Sequence, residues 1–165
     1  MSKRILGIDP GTGICGFGVI EVSGTGTNAF RGGMKMIDNG VIATPAHTPL
    51  TERLADIYDS LGEIIKLDKP DVVSIEKLFF SKNITTGISV AEARGVIILA
   101  CHKAGLPIFE YTPNEIKKTM TGYGSADKKQ MQEMVRIQLG LKEVPKPDDA
   151  ADALAAAITH SLMHQ

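Results

Sequence analysis

The sequence predicts an α/β fold, a mixed five-stranded sheet flanked by helices, and three observations predict it. Short apolar runs rich in Ile, Val and Leu end at carboxylates or turn residues, as buried strands do. Longer segments repeat their apolar residues at helical spacing. The order is three strands in a meander, then helix, strand, helix, strand, then helices, which suits a sheet with helices packed on it. The chain has 165 residues, 43% hydrophobic and 22% charged. That length supports a sizeable core, so residues 1–165 are expected to form a single domain. No internal repeat, low-complexity segment or linker interrupts them.

Arg4 to Asp9 reads as the first strand, because Ile5, Leu6, Gly7 and Ile8 run straight into the carboxylate of Asp9. Pro10 to Gly13 is a turn short enough to make the second strand, Ile14 to Val22, antiparallel to the first. Residues 23–33 read as a glycine-bearing loop; its Gly-Thr-Gly-Thr is not a phosphate loop, since no Lys-Ser/Thr follows. Met34 to Thr44 is the third strand, ended by Pro45 and Pro49. Leu54, Ile57, Tyr58, Leu61, Ile64 and Ile65 predict a helix from Thr51 that stops before Pro70. Asp71 to Glu76 is the fourth strand, and Lys77 to Thr85 a loop with Phe79 and Phe80. A helix over roughly 86–104 stops at Gly105. Leu106 to Tyr111 is the fifth strand. Pro113 opens a short helix to about Met120, Thr121 to Ser125 is a loop, and Lys128 to Leu139 is a helix closed by Gly140. Leu141 to Pro147 connects to an alanine-rich last helix over about 148–164.

Composition narrows the function. The formal net charge is -1, so nothing draws the whole chain toward nucleic acid, and any such contact needs a local patch. Cys15 and Cys101 match no metal-ligand spacing and read as small buried hydrophobes of a reducing compartment. The basic start, Met1 to Arg4, is followed by only four apolar or glycine residues and then Asp9, which is unlike a secretory signal. No apolar stretch approaches the length of a membrane span. The expected location is the cytoplasm.

The carboxylates carry the chemistry. Asp9 and Glu76 each end an apolar strand, and open α/β sheets place ligands beside such ends. An ionised glutamate there is costly unless paired, solvated or metal-bound. Asp148 suits the N-cap of the last helix, leaving Asp149 and Asp152 three apart on one face. Spacing alone equally permits Asp148 with Asp152. Acidic residues in a first helical turn also favour the macrodipole without any function. Four carboxylates in one place repel and need cations, and oxygen ligands without His or Cys select Mg²⁺ or Mn²⁺. Two such ions suit in-line displacement at a phosphodiester.

Ile5 to Gly11, Ile75 to Asn83 (Ile-Glu-Lys-Leu-Phe-Phe-Ser-Lys-Asn), Ala93 to Val96 and Asp149 to His160 together resemble, in order, the RuvC family of bacterial Holliday-junction resolvases. The resemblance runs from about residue 3 to 162. It implies an RNase H-like fold and a homodimeric, Mg²⁺-dependent endonuclease that nicks two strands of four-way junction DNA symmetrically. It implies RuvA and RuvB, the branch-migration proteins, as partners. The family's four metal-binding carboxylates fall on Asp9, Glu76, Asp149 and Asp152, which favours Asp149 over Asp148.

Phe79 and Phe80 follow the glutamate, and one of them could stack on or wedge between bases; the resemblance points to Phe79. Lys117, Lys118, Lys128 and Lys129 make the densest basic stretch, available to phosphates. The family's functional lysines match Lys117 and Lys128. His160 lies eight residues past Asp152, roughly 12 Å along a helix, and stays outside the site. The 86–104 helix is apolar nearly all round, so it is buried in its own core or in a partner's, and the family's dimer contact involves it.

Two other readings stay open on the sequence. Gly7 to Gly13 also resembles the phosphate-binding hairpin of ATP-binding actin-like domains, although that hairpin should recur and does not. A non-catalytic DNA-binding dimer on the same fold would be expected to lack a carboxylate, and all four are present.

Overall fold

A computed structural model describes residues 2–23, 33–78 and 84–164, with backbone alone for 84–86. The strands are β1 (Ser2–Asp9), β2 (Ile14–Ser23), β3 (Met34–Ala43), β4 (Val72–Glu76) and β5 (Ile108–Tyr111). The helices are α1 (Leu50–Asp68), α2 (Ile84–Lys103), α3 (Pro113–Thr121), α4 (Lys128–Gln138) and α5 (Asp148–Met163). The sheet order is β3-β2-β1-β4-β5. β1 pairs antiparallel with β2, and β2 with β3, while β1 with β4 and β4 with β5 are parallel. This is the expected mixed five-stranded sheet.

Alternation along each strand divides the core. Leu6, Ile8, Val73 and Ile75 face α1 and α2, joined by Ile57, Leu61, Ala93, Ile97 and Cys101. Ile5, Ile20, Val72 and Tyr111 face the other way, against Leu154 and Ile158 of α5 and against α3 and α4. From Ala150 to Ser161 every residue except Asp152 is buried. Alanine is what lets α5 sit this low. A Cβ added to Gly7 would overlap the Ala153 carbonyl, and one added to Gly16 the Asp149 carbonyl. Here the sheet meets helix backbone with no side chain between. Ser74 of β4 closes the contact by donating its hydroxyl to the Ala156 carbonyl at 2.6 Å.

The expected boundaries shift at several ends. β5 starts two residues late, because Pro107 lacks an N–H for the ladder, though its carbonyl still accepts from Val73 at 2.9 Å. α1 begins at Leu50 rather than Thr51, with Pro49 at its N-cap. α3 has a full capping box, Thr112 with Glu115, and α4 another, Asp127 with Gln130. The expected cap of α5 is corrected. Pro147 stands at the N-cap with no side-chain bond, and Asp148 is the first helical residue, its carboxylate turned to Lys128 instead.

One face of α2 is buried through Ala93, Ile97, Ala100 and Cys101, while Ile88 and Leu99 stand more than half exposed. Among the described residues no helix is long and apolar enough to cross a membrane.

Candidate active site

Three elements bring the acidic residues to one end of the sheet. Asp9 is the last residue of β1 and Glu76 the last of β4. The parallel register pairs Ile8 with Ile75, so the two carboxylates lie one step further on, level with each other. Both belong to the alternating set that faces α5, as Ile5 and Val72 do. Asp9 also pairs with Gly16 of β2, and Gly16 is where the Asp149 backbone rests on the sheet. Asp149 thereby stands beside Asp9, and Asp152 follows within the first turns of α5.

The electrostatics record this convergence. Burial pushes the Asp9 carboxyl up to about 8, with help from the charges of Glu76, Asp152 and Asp149 and against the pull of Lys128. Burial and Asp152 push Glu76 up to about 7, opposed by Lys117. Burial also raises Asp152, which Lys128 partly offsets. The carboxyls therefore sit close enough to resist one another's ionisation. Among the described residues, however, no three His, Cys, Asp or Glu side chains close around a common point. The donors of these carboxyls are all oxygen, the chemistry that a hard divalent cation takes.

Two basic residues border the carboxylates. Lys117 of α3 and Lys128 of α4 line a cleft with Glu76, Asp152, Ile116 and Met131. The Lys128 ammonium lies 3.2 Å from Asp148 and 3.5 Å from Asp152. Burial pulls the Lys128 pKa down, but Asp152 and Asp148 outweigh it and the net shift is upward. Lys118 and Lys129 do not border this cleft; Lys129 lines a shallow depression with Tyr123 and Thr121. Phe79 and Phe80 lie outside the described residues.

His160 stays apart from this cluster, as expected from its distance along α5. It is buried, with Nδ1 2.8 Å from the Tyr111 hydroxyl, and its ring lies 4.5 Å from Phe109 and 4.6 Å from His164. Burial lowers it to about 4, with smaller contributions from His164 and Lys3. Cys15 and Cys101 are buried thiols pushed up to about 12. Arg94 of the Ala93–Val96 motif pairs with Glu110, tying α2 to β5.

Sequence reasoning missed two supports. The turn after Asp9 is braced by Thr44, which donates to the Thr12 carbonyl at 2.5 Å and accepts from Arg53 at 2.8 Å. Nothing in the local sequence links residues 12, 44 and 53, which meet through the β2–β3 pairing. The other is Asp148, whose link to Lys128 crosses between helices. Its i,i+4 spacing to Asp152 was the available sign.

The family model described as crossover junction endodeoxyribonuclease RuvC matches residues 5–160. The crossover junction endodeoxyribonuclease RuvC of Chloroflexus aggregans is 51% identical over 158 residues, covering 96% of this chain and 92% of its own. That of Caldicellulosiruptor saccharolyticus is 53% identical over 159 residues, covering 96% and 92%. Among solved structures, Thermus thermophilus RuvC in complex with a Holliday junction substrate superposes with a TM-score of 0.89 at 34% identity, covering 98% of this chain and 94% of that one. The yeast mitochondrial Holliday junction resolvase Ydc2 shares the fold at a TM-score of 0.65 and 14% identity. Matched along nearly its whole length in sequence and in fold, the chain belongs to the RuvC family of crossover junction endodeoxyribonucleases.

Proposed function

We propose that this chain is a structure-selective endonuclease that resolves four-way (Holliday) DNA junctions by paired, symmetric nicks, in recombination and repair in the cytoplasm. The observation that carries the site is the meeting of Asp9, Glu76 and Asp152 at one end of the sheet, each carboxyl raised by burial and further by neighbouring acidic charge. Asp9, Glu76, Asp149 and Asp152 would hold divalent cations, Mg²⁺ with Mn²⁺ as a substitute, two to a site. Such ions activate water and stabilise the leaving oxygen of a phosphodiester.

The chain's own residues do the rest. β1 and β4 carry Asp9 and Glu76 at their ends and α5 carries Asp149 and Asp152, so all four carboxylates stand on regular elements, and only side-chain movement would be needed to close them around a cation. Lys117 and Lys128 border the cleft, where a phosphodiester backbone needs cationic contacts. Phe79 is assigned to unstacking bases at the junction centre. A homodimer through α2 supplies one site to each of two equivalent strands, and the exposed Ile88 and Leu99 support that pairing. The RuvA and RuvB branch-migration proteins are the proposed partners, and residues 1–165 the single nuclease domain.

The test is a synthetic four-way junction incubated with the protein in Mg²⁺, in Mn²⁺ or in chelator, beside Asp152→Asn. Paired nicks are expected only from the wild type with a cation. The variant should bind the junction in chelator as tightly or more tightly, since it repels phosphate less. A wild type that leaves the junction intact in both cations overturns the activity; an active Asp152→Asn overturns the site.

A further inference from the structure

Asp148 lies just outside the carboxylate group yet holds one of its bordering cations. Asp148 and Asp152 are one helical turn apart, and the Lys128 ammonium sits between them, 3.2 Å from the first and 3.5 Å from the second. The root of that lysine is fixed. Lys128 is the first residue of α4, whose opening turn is closed by the Asp127–Gln130 capping box. Asp148 takes a second hydrogen bond from Gln132, so it ties the start of α5 to α4 at two places.

The two carboxylates of this fork are not equivalent. Asp152 faces the cleft with Glu76, and Asp148 does not line it. Were Asp152 to hold a cation, its carboxylate would be less available to the ammonium. Lys128, on its flexible four-carbon stem, would then be free to leave for solvent unless another anion retained it. Asp148 is that anion.

We propose that Asp148 is a positioning residue, which keeps the Lys128 ammonium at the rim of the carboxylate site, directed at the bound phosphodiester, once Asp152 is taken by metal. This rests on the reading of the site given above. The cost of ordering the lysine is met in the folded protein rather than during the reaction.

The experiment compares Asp148→Ala, Asp148→Glu, Lys128→Ala and the Asp148→Ala/Lys128→Ala double variant, with Asp152→Asn as reference. It measures kcat and KM for junction cleavage in Mg²⁺, junction binding in chelator, and thermal melting. Asp148→Ala is expected to lower kcat by roughly 10- to 100-fold, the scale of a misplaced catalytic group, while KM and chelator binding hold. Lys128→Ala should fall at least as far, and the double variant no further than Lys128→Ala. Asp148→Glu should recover most of the rate. Wild-type cleavage by Asp148→Ala overturns the proposal, and so do losses that multiply in the double variant, a normal Lys128→Ala, or a folded Asp148→Glu as slow as Asp148→Ala. An active Asp152→Asn would instead remove the underlying site reading.

Discussion

The two ends of α5 bury titratable groups in opposite ways. At its start, Asp152 joins Asp9 and Glu76, and burial raises all three, with neighbouring carboxylates adding to the rise and Lys117 and Lys128 offsetting only part of it. At its far end, burial lowers His160 to about 4, but that imidazole is neutral, bonded to the Tyr111 hydroxyl and packed on Phe109 and His164. Both ends depart strongly from ordinary titration. A shifted pKa alone therefore does not mark an active site; what separates the ends is charge left without compensation. The contrast is local, since Glu76 and Tyr111 are directly paired neighbours across β4 and β5.

That neighbouring pair gives the largest expected difference. Glu76→Gln should reduce junction cleavage by roughly a thousandfold or more, the scale of losing a group that acts on transition-state charge. Tyr111→Phe should leave cleavage near wild type and cost about 1 kcal/mol of stability for one lost hydrogen bond. Cleavage rates and urea melts of the two variants check this, and equal catalytic losses would erase the distinction between the ends.

Stability without metal should separate them next, with opposite signs. Burial and its acidic neighbours push the Asp9 carboxyl up to about 8 in the folded chain, from an ordinary 3.8. Between those values the native state binds a proton that the unfolded state lacks, so this contribution weakens as pH rises from about 4 to 8. Asp9→Asn should remove that decline and make the chelated protein more stable than wild type at pH 8, by about 1–3 kcal/mol. His160 titrates at about 4 against 6.5. There the unfolded state binds the extra proton, so the contribution is complete above 6.5 and is lost as pH falls toward 4. His160→Gln should start from a less stable protein but flatten the acid limb. Denaturant midpoints across pH 4 to 9 for the two variants measure both slopes, and parallel curves would contradict the assignment.

Lys117→Ala is the smallest effect. It should leave the fold intact and flatten the salt dependence of junction binding by about one unit of slope for one lost phosphate contact. An unchanged slope would return Lys117 to an ordinary exposed cation beside Glu76.

The succession of strands and helices and the places of Asp9 and Glu76 at strand ends were legible because both signals are local: an apolar run, then a carboxylate or a turn. Asp149 and Asp152 were legible as a helical pair, but choosing Asp149 over Asp148 needed the family resemblance, since spacing permits either. The reading of Asp148 as a helix cap failed because its partner lies on α4, twenty residues back, and Pro147 occupies the cap. The Arg53–Thr44–Thr12 brace was hidden for the same reason, as strand pairing rather than sequence brings it together. The actin-like alternative rested on the first hairpin alone, and the match over residues 5–160 decides against it.

The seating of α5 has a consequence for how this chain can change. Gly7 and Gly16 let the helix backbone at Ala153 and Asp149 come down onto the strands. A gauge made of backbone does not drift when neighbouring side chains are exchanged. Substitutions at Ile158 or Ile20 should therefore alter how the surroundings fill more than they alter the gap between the strand-end and helix carboxylates. Conversely, a single added methyl group at Gly7 or Gly16 would lift the whole helix, and Asp149 and Asp152 with it.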